Sequence, residues 1–381
     1  MNIALVIEAM ELARGGREVS TMQIASELAR RGHGVTILCQ RGQSADPSVR
    51  VMPLGECGAG KAGQLRRFIA DVQSVARRKS FDVVHAMLPV PGANVYQPRG
   101  GTLPGQAAAS VRRRTVWKRP LVRLGYVLNG RRRQAAAFER QVVADARAQC
   151  LAVSPMVARE FADYFGRRDN VRVIFNAVDV PAVSPSQRSQ WRRELRARWG
   201  LADGETAFIT TATNFPLKGV GQAIEATALW RRAGGRGKLI VIGGYDADYY
   251  RWLARANGLT DAVIFAGAVE SIFPALSAAD VCVLLSWYDP CSRVVLEATR
   301  WGVPSITTVF NGAAEALAGG CGVVVASPRD VQAVAAAMTR LADPAERGKR
   351  AAACLASADQ LTIQRHVDSL LEVYQHIAAG G

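Results

Sequence analysis

Residues 279–304 read Ala279-Asp-Val-Cys-Val-Leu-Leu-Ser-Trp-Tyr-Asp-Pro-Cys-Ser-Arg-Val-Val-Leu-Glu-Ala-Thr-Arg-Trp-Gly-Val-Pro304. The first seven residues are a short unbroken apolar run, the pattern of a strand buried on both faces. An acidic turn at Asp289 follows, then apolar residues at helical spacing, stopped by Gly302-Val-Pro304. Pro290 suits a first helical turn, where the N–H it lacks would have no partner. The amides of Cys291, Ser292, Arg293 and Val294 would then stand unpaired at the helix start. With the positive end of the helix dipole, they suit a phosphate. Glu297 lies one turn further on and can reach past that phosphate to accept hydrogen bonds from sugar hydroxyls. Taken alone, the stretch is equally a capped helix with a surface carboxylate near its start.

The same strand–helix alternation extends in both directions. Upstream, strands are expected at 2–7, 35–39, 82–87, 149–153 and 171–174, with helices at 18–31, 64–78, 131–148 and 155–165. Residues 181–189 are polar and rich in Pro and Ser, which reads as a linker. A second series follows, with strands at 207–211, 238–242, 263–266, 281–285, 305–307 and 322–325. Its helices are expected at 221–233, 248–257, 272–278, 292–301 and 330–341. Alternation with short connections implies an α/β fold of two doubly wound parallel sheets.

Composition narrows the function. With 381 residues, 49% of them hydrophobic, the chain can build two domains and is not disordered. Seven scattered cysteines and four dispersed histidines (His33, His85, His366, His376) form no metal-ligand spacing and no disulfide framework, which suits a reducing cytosol. Met1-Asn-Ile-Ala-Leu-Val-Ile-Glu8 lacks the basic start of a signal peptide. No apolar run approaches the roughly 20 residues that span a bilayer, so a soluble or peripheral protein is expected. The net charge of +16 is concentrated. Arg112, Arg113, Arg114, Lys118, Arg119, Arg123, Arg131, Arg132, Arg133 and Arg140 face a single acid, Glu139. Val116, Trp117, Leu121, Leu124 and Tyr126 are interleaved among them. Residues 112–133 therefore read as an interfacial segment for an anionic membrane surface, or else as a solvated basic helix. No nucleic-acid-binding module is visible, and no nucleic-acid partner is expected.

Asp289 and Glu297, eight positions apart, resemble the acid-x7-Glu signature of the family 4 retaining glycosyltransferases of the GT-B fold. In that family the second Glu binds the donor ribose and the first carboxylate touches the transferred sugar; here Asp stands where Glu is usual. Other segments resemble the family in order. Gly15-Gly16, with Arg17, matches a loop facing the donor diphosphate. Thr213-Asn-Phe-Pro-Leu-Lys218-Gly219 matches an Arg…Lys-Gly segment that neutralises it; Asn214 and Leu217 lie where the Arg is usual, and Arg293 is a candidate replacement. Val263-Ile-Phe-Ala-Gly267 matches the segment bordering the base. Thr307-Thr-Val-Phe-Asn311-Gly312-Ala-Ala-Glu315 matches one beside the sugar. Phe175-Asn-Ala-Val-Asp179 is similar to the domain-junction element, and Phe81-Asp-Val-Val-His85-Ala-Met87-Leu-Pro89 to a His-x-His-x-Pro segment with Met at the second His. Asn94-Val-Tyr-Gln97-Pro-Arg99 follows, and with the helix at Ala137-Phe-Glu-Arg140 it most resembles the lipopolysaccharide-core α-glucosyltransferase branch.

The resemblance implies two Rossmann-like domains facing a cleft. An acceptor-side domain is expected at 1–178, a nucleotide-sugar domain at 179–355 and a last helix at 356–381 packing back on the first. It implies Asp289, Lys218 and His85 in catalysis. Gly15, Gly16, Arg17, Asn214, Gly267, Ser292, Arg293, Val294 and Glu297 are placed on the donor, and Gln97 and Arg99 on the acceptor. A hexose would pass with retention from a nucleotide diphosphate sugar, UDP-linked, to a cell-envelope glycolipid or glycan such as lipopolysaccharide core. No cofactor and no metal is expected, and the protein would sit in the cytoplasm, peripheral to the inner face of the cytoplasmic membrane. Two alternatives stay open: a sugar-nucleotide epimerase of the same fold, and a basic scaffold with weak turnover.

Overall fold

The computed structural model describes residues 1–11 and 15–379. They form two units, Met1–Ala177 with Thr362–Gly381, and Val178–Leu361. The second unit runs six residues past the 355 boundary read from sequence.

The strands of the first unit are β1 (Asn2–Val6), β2 (Ala9–Met10), β3 (Gly34–Cys39), β4 (Arg41–Gly42), β5 (Arg50–Pro53), β6 (Val83–Ala86), β7 (Val95–Tyr96), β8 (Gln149–Ala152) and β9 (Val171–Val173). Seven of them form a parallel sheet in the order β5-β3-β1-β6-β7-β8-β9, while β2 and β4 pair with each other. The helices are α1 (Gly16–Arg30), α2 (Gly60–Arg78), α3 (Leu103–Arg112), α4 (Arg119–Leu128), α5 (Gly130–Ala144) and α6 (Pro155–Phe165). Strand alternation divides the core. Ile3 and Leu5 pack with Ile24 and Leu28 of α1, and Ala4 and Val6 pack on the other face with Leu65, Phe68 and Val72 of α2.

The second unit repeats the plan. Its helices are α7 (Pro185–Arg198), α8 (Phe215–Lys218), α9 (Val220–Arg232), α10 (Asp248–Ala256), α11 (Phe273–Ala278), α12 (Arg293–Arg300), α13 (Val331–Ala342) and α14 (Pro344–Ser357). Its strands are β10 (Thr206–Thr211), β11 (Gly237–Ile242), β12 (Val263–Gly267), β13 (Val281–Leu284), β14 (Ser305–Thr308) and β15 (Gly322–Val325), in the order β12-β11-β10-β13-β14-β15. Phe208 faces Ile224 and Met338, whereas Ala207 and Ile209 face Leu276 and Trp301. A last helix, α15 (Ile363–Ala379), belongs to the first unit, where Val367 and Leu370 join the core beside α1.

Two expectations change. The tract at 181–189 is not only a linker, because Ser184 and Pro185 start α7. The Ser184 hydroxyl accepts from the Gln187 amide at 3.1 Å, and Pro185 fills the first turn. Arg192 and Arg196 then bind Asp280 at 2.8 and 3.0 Å, and Asp280 also accepts from the Ala207 amide. Burial opposes ionisation of Asp280, but the amide and the two guanidiniums outweigh it and hold the carboxyl below its usual range.

The basic tract holds α4, preceded by a 3-10 turn at Val116–Lys118. Trp117, Leu121, Leu124 and Leu128 follow helical spacing and are 54–71% exposed. Tyr126 is turned inward, its hydroxyl 2.6 Å from Ser110 Oγ of α3. Among the described residues no helix is long and apolar enough to cross a membrane.

Candidate functional site

In the second sheet the strand order reverses between β10 and β13. Loops leaving the C-terminal ends of those two strands turn to opposite faces, which opens a crevice where ligands of doubly wound sheets bind. The loop after β10 carries Asn214 to Gly219, and the loop after β13 carries Ser286 to Ser292. They are tied together where the Trp287 amide donates to the Leu217 carbonyl at 2.9 Å. Gly219 has φ +69, and a Cβ there would collide with the Leu285 carbonyl oxygen, so only glycine fits. This close approach puts Lys218 Nζ in an ion pair with Asp289 Oδ2, the two side chains 20% and 11% exposed.

Asp289 is fixed by its backbone. Its amide donates to the Phe310 carbonyl at 2.9 Å, and its carbonyl accepts from the Gly312 amide at 2.8 Å. Asn311 completes the frame. Its Oδ1 accepts from the Ser292 and Ala313 amides at 3.3 and 3.1 Å, and its Nδ2 donates to Thr307 Oγ1 at 2.9 Å. Asn311 was not among the expected site residues. An Asn-Gly after a strand signals a turn, but its link to the acidic loop is a long-range contact.

The helix start differs from expectation. α12 begins at Arg293, so Pro290 lies in the bend before it. The Ser292 amide is taken by Asn311, and the Ser292 side chain caps nothing, so the hydroxyl leaves the first-turn amides to another acceptor. The Val294 side chain packs into the core, and only its backbone can serve a ligand. Arg293 and Glu297 form an i,i+4 ion pair at 3.2 Å. Burial pushes the Glu297 carboxyl up, opposed by the Arg293 charge. A carboxylate kept at a cost in desolvation marks a functional-site candidate. Asn214 caps α8, its Oδ1 accepting from the Leu217 amide at 3.0 Å. Gly267 ends β12 at φ +77 with open space around it, and its carbonyl accepts from Gly243 at 2.8 Å.

In the first unit, Gly15 is the N-cap of α1 and Gly16 its first residue, so α1 also begins without a capping side chain. The Arg17 guanidinium is 3.7 Å from Glu18 and mostly exposed. The rest of the loop read with them, Ala13 and Arg14, lies outside the described residues.

His85 has a structural partner. It is wholly buried, and its Nδ1 is 2.6 Å from the hydroxyl of Tyr374 on α15. Burial, with the nearby Arg99 charge, pushes the imidazole down to about 3. It joins the last helix to the sheet. Gln97 and Arg99 are also buried, where the sequence reading placed them on the acceptor. Arg99 donates to Ser20 Oγ and to Asn176 Oδ1. His366 closes the cluster, its Nδ1 2.6 Å from the Phe175 carbonyl.

Two sheets of the doubly wound order, one with a cation, a carboxylate and a helix start at its switch point, define an α/β fold with a candidate ligand site. Residues 14–181 match the family described as Glycosyltransferase Family 4, and residues 205–343 match the family described as Glycosyl transferases group 1. The chain belongs to the family 4 glycosyltransferases of the GT-B fold. It is 24% identical over 322 residues, 82% of each chain, to the lipopolysaccharide glucosyltransferase WaaG of Escherichia coli. It is 30% identical over 236 residues to a D-inositol 3-phosphate glycosyltransferase of Nocardiopsis dassonvillei, covering 58% of this chain and 54% of that one. The crystal structure of WaaG, a glycosyltransferase involved in lipopolysaccharide biosynthesis, superposes with a TM-score of 0.77 at 21% identity, over 98% of this chain and 99% of that one. Anabaena HepE in complex with UDP gives 0.74 at 20% identity, over 99% and 100%.

The buried histidines predict a pH dependence of stability. Burial lowers both His85 and His366 to about 3, so the unfolded chain takes up protons first as pH falls. Their contribution is complete above the ordinary histidine range near 6.5 and is lost as pH falls toward 3. Glu139 opposes this, because burial pushes its carboxyl up to about 7. Comparing wild type with His366→Gln cancels that opposing share. The wild type's advantage in urea unfolding should shrink by about 2 kcal/mol between pH 6.5 and 5. A pH-independent difference would contradict the assignment.

Proposed function

We propose that the protein transfers a hexose from a UDP-linked sugar to a glycolipid or glycan of the cell envelope, such as lipopolysaccharide core, with retention and without a metal. The observation that carries this reading is the Lys218–Asp289 pair at the switch point of the second sheet. An incoming diphosphate gives Lys218 a stronger partner and releases Asp289 to the hydroxyls of the transferred sugar. Arg293 and the first-turn amides of α12 add to the positive field. Glu297 accepts from the ribose hydroxyls, and the open backbone at Gly267 borders the base. In the first unit the α1 start at Gly15 and Gly16, with Arg17, offers an independent anion contact.

As the bond from the anomeric carbon to the phosphate oxygen breaks, the leaving group gains negative charge, and fixed cations stabilise it. The acceptor hydroxyl bonds to the same face of the carbon and passes its proton to the departing phosphate oxygen. Two protein cations do the work a divalent ion would do, which supports metal independence. The choice of UDP is supported by the similar HepE, whose structures contain UDP and UDP-glucose. The choice of acceptor is supported by WaaG.

Lys218→Ala should lower turnover of a UDP-sugar about 100-fold, the size seen for removing one preorganised charge stabiliser. EDTA should leave wild-type turnover unchanged. A variant within threefold of wild type, or abolition of turnover by EDTA, would contradict the mechanism.

The exposed apolar stripe of α4, flanked by Arg119 and Arg123, supports docking on the cytoplasmic face of an anionic membrane. Each basic residue near such a surface contributes about 1 kcal/mol. The inward turn of Tyr126 leaves Trp117 as the interfacial ring. The protein should sediment with phosphatidylglycerol vesicles and release them in salt, and Leu121→Asp with Leu124→Asp should abolish this. Equal, salt-insensitive recovery in the supernatant with anionic and neutral vesicles would refute it.

A further inference from the structure

An open pocket of about 720 Å³ lies on the first unit, bordered by α2, α3, α5 and the end of α4. Four arginines line it: Arg66 from α2, and Arg132, Arg133 and Arg140 from α5. No carboxylate is among its lining residues. The neighbours of these arginines behave differently. Arg67 is paired with Asp71 and Arg131 with Glu8. Arg66, Arg132 and Arg133 pair with no carboxylate among the described residues. Arg132 is held in place over the Tyr126 ring, 3.9 Å from its centroid. Four like charges around one hollow repel each other and gain from a shared anion. The planar guanidinium fork matches phosphate oxygens two at a time.

Beyond the arginines the lining is mixed: Gln106, Gln134 and Tyr126 carry polar groups, and the other residues are apolar or glycine. Leu103 and Ala107 from α3, Val127 from α4, and Ala136 and Ala137 from α5 offer no polar side-chain group to a ligand. The volume falls in the range of small-molecule sites. A free inorganic phosphate would leave that apolar surface uncovered, and an uncharged lipid would leave the arginines without a partner. Val127 belongs both to this wall and to the exposed face of α4, so a chain leaving the pocket continues along the apolar side of that helix.

We propose that this pocket binds the phosphate of a single lipid molecule, with the first part of its alkyl chain against the apolar residues of the lining. This goes beyond docking of α4 on a bilayer, because the ligand is one phospholipid held by the first unit, with Arg66 on α2 as a contact outside the basic segment.

The test is calorimetric titration with dihexanoyl phosphatidic acid kept below its micelle concentration, alongside inorganic phosphate and dihexanoyl phosphatidylcholine. The phosphatidic acid should bind at least tenfold more tightly than either control. Arg66→Ala should weaken it about tenfold while leaving UDP binding and vesicle sedimentation unchanged, which separates this site from the donor site and from α4. The proposal is overturned if the phosphatidic acid does not bind, if phosphate alone binds equally well, if the phosphatidylcholine does, or if Arg66→Ala has no effect. Loss of vesicle sedimentation with pocket binding retained would count against surface docking and leave the pocket site standing.

Discussion

The ion pair between Lys218 and Asp289 is the constraint on which the second unit's site depends. Each residue sits in the segment that follows a strand beside the reversal of sheet order, so the pair depends on β10 and β13 being neighbours. In the half-buried crevice, the attraction is much larger than in water. A diphosphate competes for the same lysine with more charge and more oxygens. In the proposed reaction the pair is a placeholder for substrate, and its exchange couples donor binding to release of Asp289.

Holding that pair requires precise backbone, and most of the surrounding residues serve this purpose. Gly219 lets one loop touch the other, and Asn311 ties the acidic loop to the strand beyond it. The first unit uses buried polar contacts differently. His85, Tyr374, Arg99, Asn176 and His366 join the sheet to the C-terminal helix. An unpaired buried polar group costs about 1–3 kcal/mol, so such a cluster fixes where α15 docks.

The strand–helix alternation was legible because strands of a parallel sheet, covered on both faces, are continuous apolar runs. The acidic pair and Lys218-Gly219 were legible because their residue types and order match the family. What sequence could not show were long-range partners. The burial of His85 involves a tyrosine 289 positions later, and the positioning role of Asn311 a loop 19 residues before it. The α7 start was hidden because Ser-Pro-Ser serves a linker and a helix cap equally well. Strand β7 was missed because two residues carry no period, and β5 because its apolar pair lies between Arg50 and Pro53. The tract at 112–133 reads as interfacial because its apolar residues are interleaved with arginines, and Trp117, Leu121, Leu124 and Leu128 are exposed.

The central claim is that Lys218 exchanges Asp289 for the donor diphosphate. Titration of uridine and UDP against wild type and Lys218→Met measures this directly. In wild type, UDP should bind far more tightly than uridine, and that ratio should fall by at least tenfold in the variant while uridine binding is unchanged. An unchanged ratio would contradict the account.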